Sequence, residues 1–241
     1  MIFRFDILGS TNDEARNLIY KEGDIVIAEH QTAGRGQRGH TWESAEGENL
    51  TFSLILEPRF LPVNEQFLLS EVLALGLVDT LAEYGIEAKI KWTNDIYVGD
   101  RKIVGMLIEN SLGSGSMART IAGIGLNVNQ SEFDPSLPNP TSMTLLAARK
   151  FDRDEVLERL HSNIMSLYEA LRRGEKEMLQ SRYRETMYRL GEAHPYALAD
   201  GTIFDGVIRG VRPSGELRIE HVADGSLHEY LFKQVEFIIK K

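Results

Sequence analysis

Short stretches in which apolar and polar residues alternate recur along the first half of the chain, and this period predicts half-buried β-strands. Residues 3–7 and 50–56 alternate clearly, whereas residues 25–28 are continuously apolar, which predicts a buried strand. Further strands are predicted at residues 89–92, 96–98, 102–109 and 120–128. The pair Gly99-Asp100 predicts a tight hairpin turn, so we expect neighbouring strands to run antiparallel.

Four stretches have helical periodicity. Ser10 and Thr11 offer N-capping hydroxyls to a first helix that ends at Gly23, and Glu14 stands in the capping-box position. The other helices are predicted at residues 65–84, 156–171 and 175–188. The pattern of residues 65–84 is amphipathic, and the last helix is more polar than the one before it.

The predicted secondary structure changes from helices to short strands near residue 190. Short apolar strands separated by glycines follow, at residues 202–204, 206–208, 217–219 and 235–238. This spacing is typical of a small barrel. We therefore predict two domains, residues 1–188 and residues 189–241. The fold class is α+β, a mainly antiparallel sheet with flanking helices followed by a small β-barrel.

Composition narrows the possible functions. The chain has 241 residues, 42% of them hydrophobic and 26% charged, as in a globular protein with a sizeable core. Its formal net charge of -9 repels a nucleic-acid backbone. The chain also starts with strand-like residues, which leaves no room for an amino-terminal helix-turn-helix. We expect no nucleic acid among its partners.

Cysteine is absent, which excludes disulfides, thiolate metal sites and a cysteine nucleophile. No stretch has the length and apolarity of a signal peptide or a transmembrane helix. A cytoplasmic protein without membrane contacts is expected.

Residues 34–39 match the pattern G-x-G-x-x-G of dinucleotide-binding folds. In those folds a helix follows the glycines, but here another strand follows, so that interpretation fails. A loop that closes over an anionic ligand fits better, because glycines allow close approach and Arg35 and Arg38 offer forked donors. A solvated surface loop with two arginines remains the alternative.

A second polar cluster follows the strand at residues 89–92. Lys89 and Lys91 alternate on that strand, Asn94 and Asp95 stand at its end, and Lys102 lies across the hairpin. A lysine near a loop of arginines suits an anionic substrate that ATP activates. The alternatives are an edge lysine and an Asx turn that supports the hairpin.

The order of these elements is similar to that of biotin protein ligases. The shared elements are Ser10-Thr11-Asn12, Gln31 with the loop Gly34–Gly39, Trp42, Lys91-Trp92-Thr93-Asn94-Asp95 with Lys102, and Gly123–Asn129. They span roughly residues 8 to 130. The resemblance implies a class II synthetase-like (biotin/lipoate ligase-like) catalytic domain and an SH3-like carboxy-terminal barrel. It also implies a short form without the DNA-binding repressor domain of some relatives.

The resemblance also implies roles for individual residues. Biotin is expected to be bound by Ser10, Thr11, Asn12, Gln31, Arg35, Gly36, Gln37 and Lys102. ATP and the adenylate are expected to be bound by Arg35, Arg38, Trp42, Lys91, Asn94, Gly105 and Asn127. Catalysis is expected from Lys102, Arg35 and Asp95, with no metal-ligating side chains. Two positions depart from the family pattern, Thr93, where proline is frequent, and Gln37, where a basic residue is common.

The implied reaction joins biotin to ATP, with Mg²⁺, as biotinyl-5′-AMP and then passes biotin to a lysine. The implied acceptor is the biotin carboxyl carrier protein of acetyl-CoA carboxylase or of another biotin-dependent carboxylase or decarboxylase. A homodimer is a further expectation from bacterial relatives. Two other functions stay open, a lipoate or octanoate ligase and a non-catalytic biotin-binding regulator.

Overall fold

The computed structural model describes residues 1–36, 41–113 and 115–239. Its larger sheet has seven strands: β1 (Ile2–Leu8), β2 (Ile25–Gln31), β3 (Leu50–Leu56), β4 (Lys89–Lys91), β5 (Asp95–Val98), β6 (Arg101–Leu112) and β7 (Met117–Leu126). Their spatial order is β1-β2-β3-β7-β6-β5-β4. The pair β1–β2 is parallel and the other five pairs are antiparallel. The predicted mainly antiparallel sheet is confirmed.

Five helices flank this sheet in the described part of the chain. They are α1 (Thr11–Glu14), α2 (Phe67–Glu83), α3 (Met143–Ala147), α4 (Arg153–Arg172) and α5 (Lys176–Thr186). The side chains of a strand point alternately to its two faces. Ile25 and Leu54 accordingly belong to the same apolar cluster as α2 and α4, whereas Val26 and Ile55 pack with Tyr20 on the opposite face. The sheet is therefore covered on both faces near its middle.

The long helix α2 is buried on most of its circumference, which differs from the amphipathic helix predicted. Twelve of its 17 residues are buried, among them Glu71. The helix contacts β4 and β5 on one side and α4 and α5 on the other. Because it lies between the sheet and two further helices, its outer side is also covered, and the sequence pattern alone did not indicate this.

The first helix is much shorter than predicted, because α1 ends at Glu14 rather than near Gly23. Leu18 and Ile19 are 75% and 63% exposed, so no apolar face holds a longer helix in place. The Arg119 guanidinium donates instead to carbonyl groups of the segment that follows α1. Those carbonyls belong to Ala15, Asn17 and Tyr20. A non-helical segment is thereby stabilised beside the sheet.

A second sheet follows the helices. Its strands are β8 (Ala193–Leu198), β9 (Ile203–Val211), β10 (Leu217–His221), β11 (Leu227–Tyr230) and β12 (Val235–Phe237), all antiparallel, in the order β11-β10-β9-β8-β12. This confirms a small β-domain of the SH3-like type. β8 and β11 were not predicted, and the two predicted strands at residues 202–208 form one strand, β9.

The apolar core runs continuously from the larger sheet into the second one. Ile208, Leu217 and Ile219 belong to the same cluster of buried side chains as α2 and α4. The division into domains at residues 188 and 189 therefore stays a prediction. No helix among the described residues has the length and apolarity needed to cross a membrane.

Candidate active site

A cavity of about 220 Å³ opens on the face of the larger sheet that carries α1. Its wall includes twelve of the residues predicted from sequence: Ser10, Thr11, Asn12, Gln31, Arg35, Gly36, Trp42, Lys91, Asn94, Asp95, Lys102 and Gly105. These side chains come from segments up to about 90 positions apart in the chain. The fold thus gathers the two clusters recognised in the sequence around one space.

The remaining three predicted residues are Gln37, Arg38 and Asn127. Gln37 and Arg38 lie outside the described residues. Asn127 is buried, and its side-chain amide donates a 2.9 Å hydrogen bond to the carbonyl of Thr141. That bond holds the segment after β7 beside Lys102, whose own backbone bonds to Asn139 and Thr141. Asn127 therefore supports the wall, and its contact with nucleotide stays a prediction.

One end of the cavity is built from uncharged polar groups with fixed orientations. The amide oxygen of Gln31 accepts a 2.7 Å hydrogen bond from the backbone N–H of Thr11. The hydroxyl of Ser53 lies 2.6 Å from Asn12 Oδ1 and 2.9 Å from Thr11 Oγ1. Because an amide oxygen can only accept, Ser53 donates to Asn12. These bonds orient the end of the cavity toward a ligand that carries both donors and acceptors.

Ser10 was predicted to cap the first helix with its side chain, but it does not do so. It stands at the N-cap position, but its side chain accepts no capping hydrogen bond, and it is 6% exposed on the cavity wall. Glu14, expected to complete a capping box, instead accepts a 2.6 Å hydrogen bond from the Tyr20 hydroxyl. The predicted capping box is therefore wrong, and the Ser10 hydroxyl faces the cavity.

The opposite end of the cavity is charged. Lys102 Nζ lies 2.8 Å from Asp95 Oδ1, and both side chains are partly buried. The pairing of β5 with β6 positions them, since Asp95 lies opposite Gly105 and a bulge follows at Ile96. This irregularity brings a lysine and a carboxylate to the same side of the hairpin. An ammonium at this place can neutralise an anion bound in the cavity.

Asn94 has both ends of its amide occupied. Its Nδ2 donates to the carbonyl of Met106, and its Oδ1 accepts a 2.6 Å hydrogen bond from the Thr93 hydroxyl. The side chain therefore supports the hairpin, although through these two bonds and not through the Asx turn of the alternative interpretation. The Trp92–Thr93 peptide bond before it is cis.

Lys91 extends from the larger sheet toward the second one. Its Nζ lies 4.9 Å from the ring centre of Phe237 and 5.2 Å from that of Tyr97. Burial lowers the pKa of this ammonium below its usual range. The two rings stabilise the charge, and the nearby Asp95 carboxylate acts in the same direction by partly offsetting the fall in pKa.

Trp42 packs closely against the backbone of two central strands. A Cβ atom built on Gly125 would lie 2.1 Å from the indole, and one built on Gly105 would lie 2.8 Å from it. Only glycine at both positions lets the ring lie this flat on the sheet. The indole Nε1 is buried without a hydrogen-bond partner among the described residues. Lys102 Nζ lies 5.8 Å from the same ring.

Several residues of the site were not predicted from the sequence. Ser53 is fully buried, and Thr51 and Ser53 are the polar positions of the otherwise apolar strand β3. That break in a buried strand was a detectable signal. Glu109 and Phe232 carried no comparable signal, because their proximity to the cavity depends on strand pairing and on the second sheet.

Comparison with known proteins places the chain in one family. The family model described as "Biotin/lipoate A/B protein ligase family" matches residues 5–127. The bifunctional ligase/repressor BirA of Bacillus subtilis is 37% identical over 162 residues, 64% of this chain and 50% of that protein. The chain therefore spans about half the length of that relative.

Two further proteins match over nearly their whole length. The biotin--[acetyl-CoA-carboxylase] ligase of Paracoccus denitrificans is 32% identical over 219 residues, 86% of this chain and 89% of that protein. A biotin protein ligase from Aquifex aeolicus, solved with biotin and ATP, superposes with a TM-score of 0.83 at 25% identity, covering 99% of both chains. The chain belongs to the biotin/lipoate A/B protein ligase family.

Proposed function

We propose that this chain activates biotin with ATP and transfers the biotinoyl group to a lysine of a biotin carboxyl carrier protein. The observation that carries the proposal is the arrangement of a single cavity, with oriented amide and hydroxyl groups at one end and the Lys102–Asp95 pair at the other. The ureido ring of biotin needs mixed donors and acceptors, and its carboxylate needs a cation. A lipoate ligase would have no use for the polar end.

In the first step a carboxylate oxygen of biotin attacks the α-phosphorus of ATP and pyrophosphate leaves. Negative charge increases between the two anions as the P–O bond forms. Lys102 and Arg35 are two of the cations on the cavity wall, and they stabilise this charge. Ser10, Thr11, Asn12 and Gln31 hold the ring so that the carboxylate reaches the charged end. Gln37, which follows Gly36 in the sequence, belongs to the same predicted set.

In the second step the amine of the acceptor lysine attacks the acyl carbon of the adenylate, an amide forms and AMP leaves. The amine must lose a proton, and Asp95 is the carboxylate that accepts it or orients the amine. Asp95 is 2.8 Å from Lys102, so the same pair serves both steps.

Nucleotide is bound by Trp42, Lys91 and Gly105, with Arg38, Asn94 and Asn127 as further predicted contacts. Mg²⁺ enters together with ATP as the MgATP complex. The acceptor belongs to acetyl-CoA carboxylase or a related biotin-dependent enzyme, and the reaction takes place in the cytoplasm. We further propose that the chain forms a homodimer, that its two domains meet at residue 188, and that it binds no nucleic acid.

The intact mass of a purified carrier domain tests this function. We expect a gain of one biotinoyl group after incubation with the chain, MgATP and biotin, and no gain if ATP is omitted. A gain with lipoate alone would assign the chain to lipoate ligation. Tight biotin binding without any mass gain would indicate a regulator.

Replacing Gly125 by alanine is expected to weaken ATP binding about tenfold while changing the melting temperature little. The new methyl group would displace the Trp42 indole, which is the predicted adenine contact, whereas the strand itself can accept alanine. The Kd for ATP is measured by calorimetry. Gly113→Ala is the control, since a Cβ there meets ordinary contacts at 3.6 Å. If Gly125→Ala binds ATP as the wild type does, Trp42 has no such role.

A further inference from the structure

The arginine of the ligand loop is paired with acidic side chains next to the cavity. Arg35 Nη2 donates a 2.6 Å hydrogen bond to Asp13 Oδ1 and lies 3.7 Å from Glu109 Oε2. Asp13 belongs to α1, and Glu109 lies on β6, so the two carboxylates approach Arg35 from different elements. None of the roles proposed above uses either carboxylate.

Glu109 also contacts two other side chains of this region. Its Oε2 accepts a 2.9 Å hydrogen bond from Asn12 Nδ2, and its Oε1 accepts a 2.8 Å hydrogen bond from Arg16. Arg16 in turn lies 3.7 Å from Asp13. Glu109 is 29% exposed, less than Asp13, Arg16 or Arg35, so it is the best-shielded charge of the group. A partly shielded carboxylate with three polar neighbours is well fixed in position.

We propose that Asp13 and Glu109 are positioning residues that compete with the bound anion for Arg35. A guanidinium that contacts these carboxylates must rearrange to contact the carboxylate or α-phosphate of a ligand. The two acidic side chains thereby stabilise the ligand-free arrangement of Arg35 and speed the departure of the adenylate. The inference rests on the proposed function, because it names what controls retention of the intermediate at that site.

The expected change in the release rate follows from the exposure of the ion pairs that Arg35 makes with Asp13 and Glu109. Partly exposed ion pairs of this type contribute modestly, and losing one changes a rate constant on the order of two- to five-fold. Asp13→Asn and Glu109→Gln keep the shape of each side chain and an acceptor oxygen, while each removes one charge. Glu109→Gln therefore preserves the hydrogen bond that Asn12 donates, which separates the charge effect from a loss of local structure.

The test follows the release of labelled biotinyl-5′-AMP, formed from biotin and α-labelled ATP by the full chain, after dilution into unlabelled substrates. We expect slower release from Asp13→Asn and Glu109→Gln, with an unchanged rate constant of adenylate formation at saturation and a lower KM for ATP. Glu220→Gln is the matched control, because it breaks a comparably exposed pair with Arg209 on the second sheet. Its release rate should equal that of the wild type.

A double substitution identifies the route of the effect. In an Arg35→Ala background, Glu109→Gln should change the release rate no further, since the competing guanidinium is gone. Unchanged or faster release from the single variants would overturn the inference, as would an equal effect of Glu109→Gln with and without Arg35. If the wild type forms no adenylate, the proposed function fails. The Kd of AMP is then compared, and the inference holds only if both single variants bind AMP more tightly.

Discussion

Lys102→Ala is expected to slow adenylate formation by about 100- to 1,000-fold, the usual effect of removing a preorganised charge that stabilises a transition state. Lys102 is partly buried on the cavity wall, 2.8 Å from Asp95 and 5.8 Å from the Trp42 ring. Without its ammonium, the negative charge that develops between biotin and the α-phosphate would face the unpaired carboxylate of Asp95. Attraction would thus be replaced by repulsion.

The rate is measured as release of pyrophosphate in the presence of biotin, without an acceptor protein. Lys150→Ala is the control, since Lys150 is 74% exposed and its ion pair with Glu48 lies outside the cavity wall. Its rate should match that of the wild type. If Lys102→Ala formed adenylate at a near-normal rate while Arg35→Ala did not, the electrostatic role would belong to Arg35 instead.

Glu71→Gln is expected to remove a strong dependence of stability on pH. Glu71 is 1% exposed in the second turn of α2, and its Oε2 has no hydrogen-bond partner among the described residues. Burial raises the pKa of this carboxyl to about 8, far above its usual value of about 4.3. The folded chain therefore keeps the Glu71 proton at neutral pH, whereas the unfolded chain loses it.

The sign of the effect follows from linkage. Between about pH 4.3 and 8 the unfolded state binds fewer protons at Glu71, so the free energy of unfolding falls as the pH rises. At 1.36 kcal/mol per pH unit, the loss from pH 5 to pH 8 is about 4 kcal/mol. Below about pH 4.3 both states are protonated and the stability is fully present. Glutamine cannot ionise, so the variant should lack this contribution.

Urea unfolding at pH 5 and pH 8 measures the difference. Glu83→Gln on the same helix is the control, because Asn163 and Arg159 bond to that exposed carboxylate and hold its pKa below the usual range. The contribution of Glu83 to the free energy of unfolding has the opposite sign, because it is present at neutral pH and is lost on acidification. If Glu71→Gln kept the pH dependence of the wild type, Glu71 would be ionised in the folded chain.

The period of apolar residues was sufficient to locate most elements of the larger sheet. β1, β3, β6 and α4 were predicted because a strand or helix with one or two buried faces leaves its period in the sequence. The prediction failed where contacts with residues distant in the sequence decide the local structure. α1 ends early because Arg119, about 100 residues away, bonds the carbonyls that a longer helix would use.

The order of short polar motifs likewise determined which residues belong to the candidate site. Gly34–Gly39, Trp42, Asp95 and Lys102 were recognisable because glycines and charged residues at such spacing have few structural explanations. The structure added local detail at two of the predicted site residues. Ser10 turned out to face the cavity without capping α1, and the amide of Asn94 supports the hairpin.

The sequence by itself thus determined most elements of the larger sheet, the motifs and the family, since these depend on local period and residue type. The tertiary structure alone decided which distant groups meet. The pairing of Arg35 with Asp13 and Glu109 and the approach of Trp42 to Gly125 depend on strand pairing. The raised pKa of Glu71 depends on its burial beneath α5 and the second sheet. Long-range packing determines such contacts, and it leaves no period in the chain.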